Sequence, residues 1–158
     1  MMLRTISVVA AIAVGATAVY AQNLDAIQKR REAMKNIATG GRASFLMNKG
    51  EAPFDLEKVQ AGLKVYQTEA ERFKGLFPDD SKTGGNTDAS PKIWQARADF
   101  NAAVDTFAKT AKDAASAIKD EASFKAAYAA VLRSCGGCHK ESDGFAPTLA
   151  ESFKKLKQ

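Results

Sequence analysis

Leu56, Val59, Leu63, Tyr66, Ala70, Phe73 and Phe77 return at alternating intervals of three and four residues. That spacing lines one face of an α-helix and predicts a helix from about Asp55 to Leu76. Asp55 follows Pro53-Phe54 and stands as its N-cap. An upstream segment repeats the pattern more loosely, with Ile27, Arg30, Met34, Ile37 and Gly41 on one stripe between about Leu24 and Asn48. Downstream, Ser90 and Pro91 open a third segment as N-cap and first helical residue. Its stripe is Ile93, Arg97, Phe100, Val104, Phe107, Ala111, Ala114 and Ile118. A fourth begins near Asp120, with Phe124, Tyr128, Val131, Cys135 and Cys138 in register. Between the second and third lies Pro78-Asp79-Asp80-Ser81-Lys82-Thr83-Gly84-Gly85-Asn86-Thr87, polar and aperiodic, which reads as a loop. No run alternates with the period of a strand. Four amphipathic helices with such seams predict an all-α fold, an antiparallel up-down four-helix bundle.

The two ends of the chain depart from this pattern. Ile6 to Val19 form an apolar run behind Arg4, and Val19-Tyr20-Ala21 offers small residues at the positions a signal peptidase reads. Residues 1–21 are thus expected to be a cleaved secretory signal, too short in its apolar part to span a bilayer. The mature domain then covers 22–158. From about residue 143 a tail carries Phe145, Leu149, Phe153 and Leu156 on one face, a short C-terminal helical extension. A bacterial type of signal implies a periplasmic address. The 158-residue chain has a formal net charge of +5, one unit of which, Arg4, leaves with the signal. Acids and bases are interspersed, and no basic block interleaves with aromatics, which excludes a nucleic-acid arm. A mild positive balance favours partners with acidic docking surfaces.

Both cysteines and the single histidine fall within five residues, Cys135-Gly136-Gly137-Cys138-His139. A redox dithiol of this spacing belongs at the start of a helix that follows a strand, where the helix N-terminus stabilises the thiolate. Here it lies at a helix C-terminus, whose dipole opposes a thiolate. A structural zinc site needs four ligands, and this cluster supplies three. A disulfide across three residues closes too small a loop to stabilise much. C-x-x-C-H is also the attachment signature of c-type haem: two thioethers from Cys135 and Cys138, with His139 as axial ligand to the iron.

With a signal peptide, four helices and C-x-x-C-H near the end of the last helix, the chain resembles the class II c-type cytochromes, the cytochrome c' family. Ile27-Gln28-Lys29-Arg30-Arg31-Glu32-Ala33-Met34 resembles the family's first-helix pattern, an Arg four residues before the residue that faces the distal side of the haem, and Leu76-Phe77-Pro78-Asp79-Asp80-Ser81-Lys82-Thr83-Gly84-Gly85 and Ser90-Pro91-Lys92-Ile93-Trp94-Gln95 resemble its low-spin branch, cytochrome c-556. The resemblance implies one covalently bound haem c inside the bundle and a non-enzymatic haem protein carrying single electrons between redox proteins. It leaves monomer and homodimer open, and it places Met34 on the distal side of the haem. Met34 lies on the first stripe and Met47 falls off it near the helix end, so Met34 is the candidate second axial ligand. Arg30, one turn earlier, is a candidate contact for a haem propionate, with a solvent-directed side chain as the alternative. If Met34 binds iron, the centre is six-coordinate and suited to electron transfer. If it only packs there, five-coordinate iron would bind gases such as NO or CO. The chain departs from the family at Asp143, where relatives often carry a basic residue, and in its longer tail.

Overall fold

The computed structural model of the protein describes residues 23–140, 144–149 and 151. The expected signal segment, Asp143, Phe153 and Leu156 lie outside the described residues. Four long helices form the bundle: α1 (Leu24–Gly40), α3 (Leu56–Phe73), α5 (Arg97–Ala117) and α6 (Glu121–Cys138). Two short ones supplement them: α2 (Arg42–Asn48) and α4 (Lys92–Gln95). Among the described residues no helix is long and apolar enough to cross a membrane.

The expected caps are in place. The Asp55 carboxylate accepts from the Lys58 amide at 3.1 Å, and Ser90 Oγ accepts from the Lys92 amide at 3.2 Å. Asp120 and Ser123 form a reciprocal capping box at the start of α6, satisfying donors that a helix N-terminus leaves unpaired.

Helix α1 packs on α3, α3 on α5 and α5 on α6, whereas α1 and α6 are not a closely packed pair. Two apolar clusters fill the bundle. One gathers Met47, Val59, Leu63, Tyr66, Ala111, Ile118, Phe124, Tyr128 and Val131 around the start of α6. The other gathers Ala70, Phe77, Ile93, Phe100, Val104 and Phe145 near its end.

Two expected helices are each divided. The first ends at Gly40 and restarts as α2 after Gly41. A Cβ on Gly41 would fall 1.7 Å from the Tyr66 hydroxyl, so this position admits that ring only as glycine. The break carries Met47 into the first cluster, where it is 6 % exposed; sequence spacing alone places it off the seam. The third helix is interrupted at Ala96, whose backbone leaves the helical region (φ −123°, ψ 54°). Trp94 Nε1 and Arg97 Nη2 both donate to the Phe77 carbonyl there, at 3.1 Å and 2.6 Å.

Candidate functional site

Helix α6 carries the motif because its inner stripe runs on to its last turn. Phe124, Tyr128 and Val131 are buried to within 1 % of full coverage. One and two steps further along that stripe come Cys135 and Cys138, both partly buried. Cys138 packs against the aromatic cluster of Phe77, Phe100 and Phe145. Cys135 lies near the buried hydroxyls of Tyr66 and Tyr128, whose oxygens are 3.5 Å apart. Burial pushes the Cys135 thiol up to about 11, with Cys138 adding to it. Burial pushes Cys138 up as well, against a weaker downward pull from Lys140. Neutral thiols at a helix C-terminus are the reverse of what a thiolate nucleophile needs. Among the described residues no three His, Cys, Asp or Glu side chains are grouped to hold a metal ion.

Around the cysteines the protein leaves room. A Cβ on Gly136 or Gly137 would meet nothing within 4 Å. No neighbouring protein atom demands glycine there, although each glycine costs helix stability. The donor set and its surroundings fit a c-type haem: two partly buried thiols three residues apart, an adjacent imidazole, and bare helix surface at Gly136 and Gly137 beside them. The chain's own residues for such a group are Cys135 and Cys138 for attachment and His139 for iron.

His139 caps α6, with φ −99° and ψ 88° turning the chain out of the helix. Its Nδ1 lies 2.7 Å from the carbonyl oxygen of Pro147. A carbonyl only accepts, so Nδ1 carries a proton, which in the neutral imidazole leaves the lone pair on Nε2.

Met34 is half-buried, and it belongs to neither apolar cluster. It follows Arg30 by four residues and so shares its helix face. Met47 belongs to the first cluster, which reaches Ile118 and Phe124 at the opposite end of α6 from Cys138. Those ends are four turns apart, about 20 Å. Position therefore separates the two methionines more sharply than helical register does.

Arg30 is 4 % exposed and is not directed to solvent. Its Nη1 donates to Ser81 Oγ at 2.9 Å and to the Leu76 carbonyl at 3.3 Å. Its Nη2 donates to the Ser81 carbonyl at 2.8 Å and to Thr87 Oγ1 at 2.6 Å. The guanidinium also stacks over Phe77, 4.9 Å from the ring centroid, and burial pulls its pKa below the ordinary arginine value. The aperiodic loop is thus organised as a polar socket for Arg30, with Ser81 fully buried. The four donors of its two terminal nitrogens point at the loop, so a propionate is left at most the remaining Nε–H.

Sequence reasoning missed Pro147, although a signal existed. Thr148-Leu149-Ala150-Glu151 is a capping-box pattern. Thr148 N and Oγ1 donate to Glu151 Oε2 at 3.0 Å and 2.8 Å. A helix start at 148 implies a turn just before it, and that turn presents the carbonyl to His139.

A family model described as Cytochrome C' matches residues 25–141. A cytochrome c' of Rhodopseudomonas palustris is 40 % identical over 144 residues, covering 89 % of this chain and 96 % of that protein. Cytochrome c-556 of the same organism is 36 % identical over 143 residues, covering 88 % and 95 %. The solved cytochrome c' structure from Rhodopseudomonas palustris superposes with a TM-score of 0.73 at 39 % identity, covering 77 % of this chain and 96 % of that one.

Proposed function

This chain belongs to the cytochrome c' family, a family of proteins that carry covalent haem c, and from that premise we propose that it is an exported, low-spin electron carrier. Cys135 and Cys138 would hold the haem through two thioethers, and His139 and Met34 would bind its iron. When bound, the haem supplies a one-electron ferric–ferrous couple. The chain binds that group, buries it and fixes its ligands; it performs no bond chemistry on a substrate. Residues 1–21 direct export to the periplasm, and the mild positive charge favours redox partners with acidic docking surfaces.

The observation that carries the choice of Met34 is its position. It lies on α1 one turn after the buried Arg30 and is part of neither packed cluster, while Met47 is committed to the one around the start of α6. A thioether opposite a histidine raises the reduction potential, and a filled sixth position leaves no place for a gas.

The absorption spectrum of the reduced protein, recorded with and without carbon monoxide, tests this. A low-spin spectrum indifferent to the gas is expected, and Met34→Ala should become high-spin and gas-responsive. A wild-type spectrum that is high-spin and shifts with carbon monoxide would reject electron-carrier ligation in favour of gas binding. Haem staining after denaturation is expected to persist in the wild type and to disappear in Cys135→Ala/Cys138→Ala.

A further inference from the structure

We propose that Pro147 is a positioning residue for the iron ligand: its main-chain carbonyl, brought back over His139 by the C-terminal tail, fixes the imidazole and lowers the reduction potential. The inference rests on the reading of His139 as axial ligand and adds what tunes it.

The contact is built rather than incidental. After Lys140 the chain returns so that the Phe145 and Ala146 amides both donate to the Cys138 carbonyl, at 2.9 Å and 3.2 Å. Ala146 pairs with His139 in a parallel bridge. The Phe145 carbonyl accepts from the Ser90 amide at 3.0 Å, tying the strap to the start of α4. The Phe145 ring is 8 % exposed and meets Phe100 edge-on at 5.4 Å. At Gly144 a Cβ would stand 2.8 Å from the Lys140 amide nitrogen and 2.9 Å from its carbonyl oxygen, so only glycine permits this approach. These contacts hold the strap, and apart from the backbone of His139 none of them involves a residue read as an iron ligand.

The chemistry follows from the tautomer. The proton stays on Nδ1, hydrogen-bonded to Pro147, and the Nε2 lone pair becomes more basic. A more basic ligand stabilises the ferric state over the ferrous. The carbonyl therefore works against the potential-raising effect of a methionine opposite. The bond also fixes the ring plane, because a 2.7 Å contact to a strapped backbone atom leaves the imidazole one orientation.

The test uses the full-length, haem-loaded protein and three variants. Gly144→Val lifts the strap by backbone collision, Phe145→Ala removes its anchor, and Pro147→Ala retains the carbonyl. Two quantities are read: the potential, by spectroelectrochemical titration, and solvent exchange of the His139 Nδ1 proton, by NMR of the ferrous state. In the wild type that proton should exchange slowly. Gly144→Val and Phe145→Ala should keep covalent haem, speed the exchange and shift the potential positive. The expected shift is about tenfold in the redox equilibrium, or ~59 mV for one electron. Pro147→Ala should leave both readings near wild type. Fast Nδ1 exchange in the wild type, or accelerated exchange with an unmoved potential in the strap variants, would overturn the proposal. A His139→Gly protein with the wild-type spectrum would instead overturn the ligand assignment beneath it.

Discussion

The two ends of the bundle are built by different means. Around the start of α6, Val59, Leu63, Ile118, Phe124 and Tyr128 pack as successive rungs of helical seams. Apolar periodicity accounts for most of that end, apart from Met47, which the break at Gly41 carries in, Phe54, and the glycine contacts that let α1 approach α3. Around the end of α6, irregular chain does the work. The loop after α3 wraps the Arg30 guanidinium, Arg97 and Trp94 converge on the Phe77 carbonyl, and the tail seats Phe145 beside Phe100. A seam stacks rungs at a fixed rise and leaves no space between them. A loop socket can border an opening, because its rigidity comes from hydrogen bonds with fixed partners. The end that carries the haem motif is the socketed one.

Removing the socket's centre should separate the ends most. Arg30→Ala leaves Ser81 and two carbonyls without their charged donor and should cost ~3 kcal/mol in urea unfolding. Arg30→Lys should recover less than half, since one ammonium cannot serve four oxygens spread across a fork. Proteolysis of the Arg30→Ala protein should begin in the loop at 78–90, with the far end still protected.

A comparable break at the far end is Gly62→Ala. A Cβ there would sit 2.7 Å from the Gly40 carbonyl oxygen, a backbone atom that cannot rotate away. The cost should be ~2 kcal/mol by thermal unfolding, with the haem spectrum unchanged. A spectral change would show that the two ends are mechanically coupled.

The tyrosine pair lies between the ends, and its effect is one of pH. Burial, then Tyr128, pushes the Tyr66 phenol above its ordinary value of 10.0, and burial pushes Tyr128 up too. A raised folded pKa contributes stability that is complete below the unfolded value and lost as pH rises through the folded one. The thermal midpoint should thus begin to fall above about pH 10, and Tyr66→Phe should flatten that fall. An equal fall in Tyr66→Phe would place the alkaline sensitivity elsewhere.

The smallest effect is expected at the α6 cap. Asp120→Ala removes an exposed capping box and should lower the midpoint by less than either Arg30→Ala or Gly62→Ala, leaving the spectrum as it was.

The same contrast decides what could be read from the sequence. Asp55, Asp120 and Ser90-Pro91 mark helix starts because a cap is local chemistry. C-x-x-C-H is legible for the same reason: attachment to one macrocycle demands contiguous spacing. The need for glycine at 41 is not, because it comes from a tyrosine hydroxyl on another helix. Ala96 carries no breaking signal at all; the turn there is held from Phe77. Arg30 stands out as a charge on an apolar stripe, yet its partners, Ser81 and Thr87, lie in a loop whose composition reads only as polar. Register places Met34 on the stripe of the first helix, while its separation from both clusters needed the fold.

Seen along the chain, Cys135, Cys138, His139 and the Pro147 carbonyl occupy thirteen consecutive residues. The loop that joins His139 to its acceptor spans eight residues, so closing it costs little entropy beside the far longer loop between Met34 and His139. Order of assembly follows from that difference. The proximal half of the centre can form within a single segment early in folding, on a timescale of tens of nanoseconds for closing a loop of this length. On the proposed ligation by Met34, the other half of the centre has to wait until α1, at the other end of the domain, packs against α3.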